Sequence, residues 1–208
     1  MIRTERDAKD YLARRASHAE LEKLDALENY LREENERQNL VSQKSLEDVW
    51  VRHFVDSAQL LDHVSRETSG VWLDLGSGAG FPGLVIAILS QNHPTLLVES
   101  RTRRVEWLES MVQVLDLPNC DIAGKRLELV ETREAAVISA RAFAPLAKLL
   151  SLSARFSTGR TQWVLPKGLS AAQEVESLPQ KFAGMFHVKP SLTHGEAGIV
   201  VGRGRVKV

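Results

Sequence analysis

V-W-L-D-L-G-S-G-A-G-F-P-G, at residues 71–83, reads as a buried strand running into a glycine loop and then into a helix. Val71–Leu75 is short and apolar, as an inner strand must be. Gly76, Gly78 and Gly80 follow at alternate positions, so the backbone can turn sharply and approach a ligand closely. Pro82 stands at the helix start, where its missing N–H costs nothing. In open α/β sheets such a loop lies at the carboxyl ends of the strands, where ligands bind. Its plain alternative is a tight turn.

Two ligands suit a loop of this kind, a dinucleotide and S-adenosylmethionine. The dinucleotide fingerprint G-x-G-x-x-G wants Gly or Ala at its sixth position, and here that position is Phe81. Asp74, just before the loop, also sits poorly beside a pyrophosphate. S-adenosylmethionine carries no phosphate; its ammonium and sulfonium are cations that welcome a nearby carboxylate. The loop's free N–H groups still suit its single carboxylate. Glu99 ends the next strand candidate, about one βαβ unit on, where an acid accepts from both ribose hydroxyls. The alternative for Glu99 is a solvated strand end.

Outward from the loop, short apolar runs alternate with helical stretches. Strands are expected at 71–75, 95–99, 120–124, 136–140, 161–166, 186–189 and 198–202, with helices near 82–90, 101–116, 144–156 and 169–177. Such alternation implies a parallel sheet covered on both faces. The segment 192–197 is too short for a crossover helix, so the last two strands should pair antiparallel. Before residue 67 the period is helical: Leu21, Leu24, Leu27 and Leu31 make one stripe, and Leu46, Val49, Trp50, Phe54 and Leu61 another, in a helix expected to start at Ser45. The expectation is an α/β fold with a doubly wound, mostly parallel, seven-stranded Rossmann-like sheet at 67–208, behind a helical N-terminal extension at 1–66.

The single cysteine, Cys120, excludes an intramolecular disulfide, and the six histidines share no metal-ligand spacing. No metal is therefore expected. No apolar run approaches the roughly 20 residues that cross a bilayer. The charged opening MIRTERDAKDYLARR lacks the apolar core of a secretory signal. A cytoplasmic protein, a monomer without membrane attachment, is expected. The formal net charge of zero hides an asymmetry: residues 1–69 hold 11 Lys/Arg against 15 Asp/Glu, residues 141–208 hold 10 against 3. The net of +7 in the second segment suits either a phosphate-binding face or scattered solvated cations. Arg101, Arg103 and Arg104 open a helix, where cations oppose the macrodipole by roughly 0.3–1 kcal/mol each; they too suit RNA phosphates or plain solvation. Arg52, His53 and Asp56 meet at i, i+3 and i, i+4, as a structural ion pair or as part of a site.

These stretches resemble one family. N-L-V-S at 39–42, W-V-R-H-F-V-D-S at 50–57, D-L-G-S-G-A-G-F-P-G at 74–83, V-E-S-R-T-R-R-V-E-W-L at 98–108, S-A-R-A-F-A at 139–144 and P-K-G at 166–168 are similar in order and type to the bacterial 16S ribosomal RNA (guanine-N7) methyltransferases, the glucose-inhibited division protein B family. One difference is visible: the family usually reads S-R-A where this chain has Ser139-Ala140-Arg141-Ala142. The resemblance implies S-adenosyl-L-methionine as cofactor, held by Gly76, Gly78 and Phe81 at its methionine and adenosyl end, by Glu99 at the ribose, and by Leu127 and Glu128 at the adenine. Arg141 would face cofactor and substrate, with Arg52, His53 and Lys167 as further substrate-positioning groups. The implied partner is 16S ribosomal RNA, naked or within a small ribosomal subunit.

Guanine N7 is a lone pair without a proton, so its methylation needs no general base. Alignment supplies the rate, which agrees with the absence of an evident base or cysteine nucleophile. Phe143 is a candidate to stack on the base, or else a core residue. Lys148, Arg155, Arg160, Lys167, Arg203, Arg205 and Lys207 are candidate phosphate contacts. Competing readings are a methyltransferase of a small molecule or protein, a non-catalytic adenosyl-binding module, and an NAD-dependent reductase, for which Phe81 is the misfit.

Overall fold

The computed structural model describes residues 1–91, 93–182 and 184–207. The chain opens with helix α1 (Glu5–Ala13), whose Thr4 cap accepts from the Asp7 N–H, and which buries Ala8, Tyr11 and Leu12 on one face. Helix α2 (His18–Asn35) starts in a reciprocal capping box between Ser17 and Glu20 and buries Leu24, Leu27 and Leu31, as the 3.6-residue period demands.

The second stripe departs from expectation. Helix α3 (Gln43–Glu47) is capped by Ser42, not Ser45. It is followed by a π-helical stretch at Trp50–Val55, a single turn α4 (Asp56–Ala58) and a 3₁₀ segment. At the break after α3 a long-range acceptor takes over: the Glu5 carboxylate accepts from the N–H groups of Trp50 (3.2 Å) and Val51 (3.0 Å). Side-chain oxygens there replace the carbonyls an uninterrupted helix would supply.

The sheet comprises β1 (Trp72–Leu75), β2 (Thr95–Val98), β3 (Cys120–Ala123), β4 (Val137–Ala140), β5 (Gln162–Gly168), β6 (Phe186–Pro190) and β7 (Gly198–Arg203). Its spatial order is β3-β2-β1-β4-β5-β7-β6. The first five strands are parallel, and β7 runs antiparallel to both β5 and β6, as the short 192–197 connection required. Helices α5 (Gly83–Leu89), α6 (Thr102–Val114), α7 (Leu146–Ser153) and α8 (Ala171–Glu176) are the crossovers. One apolar cluster joins the extension (Leu12, Leu27, Trp50, Phe54) to α5 and α6; another packs α7 and Ala171 of α8 on the opposite face. The sheet is thus covered on both sides. Strand order reverses between β2-β1 and β1-β4, so the glycine loop after β1 opens at the topological switch point, where such sheets bind ligands.

Candidate active site

Gly76 and Gly78 adopt φ of +66° and +60°, which side chains rarely tolerate. The Phe143 ring lies so close to Gly76 that a Cβ there would approach its Cδ2 to 2.5 Å. The loop is pinned from behind by Trp107 of α6, whose indole N–H donates to the Ala79 carbonyl at 3.0 Å. Gly83 has a different task. A Cβ there would meet Leu97 at 2.0 Å and the Asp74 carboxylate at 2.8 Å, so its absence lets α5 sit close on the sheet.

Asp74 is fully buried, and its carboxylate is committed to protein donors. Its carboxylate accepts from the Ser139 hydroxyl (2.7 Å) and from the Gly83 N–H (3.2 Å), and Ser139 in turn accepts from the Trp72 indole. Burial raises its carboxyl above the usual range, against the bonds from Ser139, Ser77 and Gly83. The expected partnership with a cationic ligand therefore gives way to a pin joining β1, β4 and α5. Strand alternation explains it: Trp72 and Asp74 share the face that α5 covers.

Glu99 follows β2 with 7% exposure. One carboxylate oxygen accepts from Gly78 N–H at 3.0 Å, the other from Ser100 and Arg101 N–H at 2.7 and 2.9 Å. It ties the glycine loop to the start of α6, whose cap position, Arg101, offers no side-chain bond of its own. Glu99, Gly76, Arg104, Arg126, Leu127 and Phe143 are among the residues lining a cleft of about 220 Å³. Glu128 is exposed beside this cleft and does not line it.

Behind the loop lies a second group. Phe81 is buried, with the His53 imidazole stacked on it at 4.7 Å and the Arg141 guanidinium 5.3 Å from its centre. Arg141 leaves β4 and donates to His53 Nδ1 at 3.0 Å and to the Arg52 carbonyl at 3.2 Å; Asp56 lies 3.8 Å away. A guanidinium cannot accept, so Nδ1 is the acceptor and the ring proton sits on Nε2, the buried side-chain polar atom without a partner among the described residues. Burial first, then Arg141 and Arg52, lowers the His53 pKa to about 3. The imidazole is neutral at physiological pH, and its basic nitrogen is engaged. The Arg52 side chain itself is exposed. The Cys120 thiol is buried and pushed up to about 12, chiefly by burial, so it is no nucleophile at neutral pH.

The structure brings Gly76, Glu99 and Leu127 together on one cleft and groups Phe81, His53 and Arg141 beside it. Lys167 stands apart: its side chain, 8% exposed, pairs with Glu174. Of the other expected phosphate contacts, Arg155 donates to Thr132 and Leu127, Arg205 to Ser157, and Arg203 pairs with Gln162 at the amino end of β5, opposite the glycine loop. Instead Arg101, Arg104, Lys125 and Arg126 rim the cleft. Lys125 and Arg126 escaped the sequence reading because nothing local distinguishes them; their place after β3 is the signal. Among the described residues no group of three or more His, Cys, Asp or Glu side chains is arranged to hold a metal ion. No described helix is long and apolar enough to cross a membrane.

Comparison with known proteins agrees with this layout. Solved structures of a SAM-dependent methyltransferase from Aquifex aeolicus (TM-score 0.56, 16% identity, 80% of this chain and 95% of that one) and of precorrin-6y C5,15-methyltransferase from Geobacter metallireducens (TM-score 0.56, 11% identity, 80% and 91%) share the fold. The chain is 64% identical to ribosomal RNA small subunit methyltransferase G of Erythrobacter litoralis over 207 residues, 100% of both chains. It is 56% identical to the protein of that name from Novosphingobium aromaticivorans, over 89% of this chain and 81% of the relative. The family model for GidB, rRNA small subunit methyltransferase G, matches residues 20–198, and the chain belongs to that family.

Proposed function

We propose that this protein transfers a methyl group from S-adenosylmethionine to N7 of a guanine in small-subunit ribosomal RNA. The residues present fit the cofactor. Gly76 offers bare backbone to its methionine end, Glu99 Oε2, which accepts only from the Gly78 N–H, keeps a lone pair for a ribose hydroxyl, and buried Leu127 gives a flat purine an apolar wall. The bound cofactor supplies an electrophilic methyl group. The chain's part is to orient the base, exclude water and place cations near the RNA backbone. Arg141, with a quarter of its side chain exposed, is the donor best placed to meet the base; His53 and the Arg52 carbonyl hold it. Arg101, Arg104, Lys125 and Arg126 supply charge for phosphates. The cytoplasm, where its substrate is made, is the expected location.

One observation carries the choice of N7: the imidazole at the site is neutral and its acceptor nitrogen is engaged by Arg141. An exocyclic amine or a hydroxyl must lose a proton, which calls for a free base; N7 does not. The test is to incubate the protein with labelled cofactor and undermethylated small-subunit RNA, naked and as subunits, and to digest the product. Label in 7-methylguanosine is expected, with a single-turnover rate that is flat between about pH 6 and 9. Label in another nucleoside, or a tenfold rise per pH unit, contradicts the assignment.

A further inference from the structure

The geometry points to Glu174 as a positioning residue for methyl transfer: with Lys167 it clamps the loop that carries Arg141 and Phe143, and the Lys167 ammonium is committed to that clamp rather than to an RNA phosphate. The inference rests on the methyltransferase reading above.

Lys167 lies where the β5–β7 register shifts between Pro166 and Gly168. Such irregularities re-aim a side chain out of the strand's normal alternation, and Gly168, at φ +63°, supplies the local turn. The re-aimed ammonium donates to the Ala144 carbonyl at 2.6 Å and contacts Glu174 at 3.0 Å. Glu174, from α8, accepts the Leu146 N–H at 2.6 Å on one oxygen and the Ser170 hydroxyl at 2.7 Å on the other. Leu146 opens α7, whose cap position is Pro145 and offers no side-chain bond. Glu174 is therefore the missing cap, delivered from another helix, with its charge at the favourable helix end.

Together the two side chains grip the backbone on both sides of Pro145. The other end of this loop is held by the bonds of Arg141 to His53 and Arg52. Between these anchors Ala142 takes a φ of +52° and Phe143 lies over Gly76. A positive φ at a residue with a side chain persists only where surrounding contacts over-determine it. The clamp is one of those contacts. Glu174 is also one of only three acids in residues 141–208. Burial pushes its carboxyl up, but the bonds from Ser170, Lys167 and Leu146 outweigh it and hold the acid below its ordinary range.

Three variants of the full chain decide the matter: Lys167→Met, Glu174→Gln and the double variant. The readouts are single-turnover methylation of undermethylated small-subunit RNA, RNA affinity against salt, and thermal unfolding. Each single variant should slow transfer roughly tenfold or more, since each removes a charge-assisted bond to the loop. The double variant should be little slower than either, as for one shared unit. The salt slope of RNA binding should remain parental in Lys167→Met. A slope shallower by about 0.7 in that variant, with Glu174→Gln as fast as the parent, overturns the clamp and makes Lys167 a phosphate contact. Parental rates in both singles overturn it as well. Should Glu174→Gln fail to fold, Ser170→Ala loosens the same carboxylate and should slow transfer by about threefold; a parental rate there counts against the clamp. A wild-type protein that labels no RNA sinks the methyltransferase reading instead.

Discussion

At the residue scale His53 has the clearest physical signature. Its folded pKa is about 3, against about 6.5 for a free imidazole. Between those values the unfolded chain binds a proton that the folded chain does not. Stability from this group is therefore complete above about pH 6.5 and is lost as pH falls towards 3, at up to about 1.4 kcal/mol per pH unit. His53→Gln keeps an acceptor for Arg141 and removes the titration. Denaturation measured at several pH values from 7.5 down to 4.5 should show a flatter acid limb in the variant. Equal slopes would mean that the imidazole is not held neutral. Neither the pKa nor the tautomer was legible in the sequence, where Arg52, His53 and Asp56 looked like one ion-pair cluster. The partner that decides both, Arg141, lies 88 residues away.

At the element scale the π-helical stretch at Trp50–Val55 shows how the extension serves the site. It carries Arg52 and His53, and its first two N–H groups, those of Trp50 and Val51, are satisfied by Glu5 of α1. The Trp50 indole also donates to Glu28 of α2 at 2.6 Å, so α1 and α2 both hold it. Glu5→Ala should cost about 0.5–2 kcal/mol, the range for a lost cap, and should loosen His53 beneath Arg141. The expected result is a lower melting temperature with a slower single-turnover rate, while RNA affinity changes little. A stable variant with parental rate would reduce Glu5 to a surface acid. The apolar stripe Leu46, Val49, Trp50 and Phe54 was readable as helical, and all four are buried. The break before the π-helical stretch was not, because the acceptor for its first N–H groups comes from 45 residues upstream.

At the scale of the whole molecule the cations are divided between two ends. Arg101, Arg104, Lys125 and Arg126 stand at the cleft, while Arg160 and Arg203 line a groove at the amino ends of the strands. RNA affinity measured between about 50 and 200 mM salt should lose about 0.7 of log–log slope for each cleft cation replaced by Gln, Arg104 or Lys125 for instance. Arg203→Gln should leave the slope unchanged. If Arg203 carries the salt dependence instead, the RNA lies on the opposite face and the cleft reading fails. A net charge of zero conceals this division, and so does the net of +7 in residues 141–208: of their ten cations, Arg141, Arg155, Lys167 and Arg205 turn to protein carbonyls and Arg160 and Arg203 to the far end.

Local pattern was enough for the sheet, its crossover helices and the glycine loop, because strand and helix periods and the turn chemistry of glycine are properties of a few neighbouring residues. The antiparallel last pair followed from the length of one connection. Tertiary structure alone decided that Asp74 is a buried pin, that Glu99 binds the loop's own N–H groups, that His53 is neutral, and that Lys167 is paired with Glu174. In each case the partner comes from another element, and the state of a buried polar group depends on what surrounds it in space: desolvation favours its neutral form, and only a donor or opposite charge brought there by the fold can reverse that.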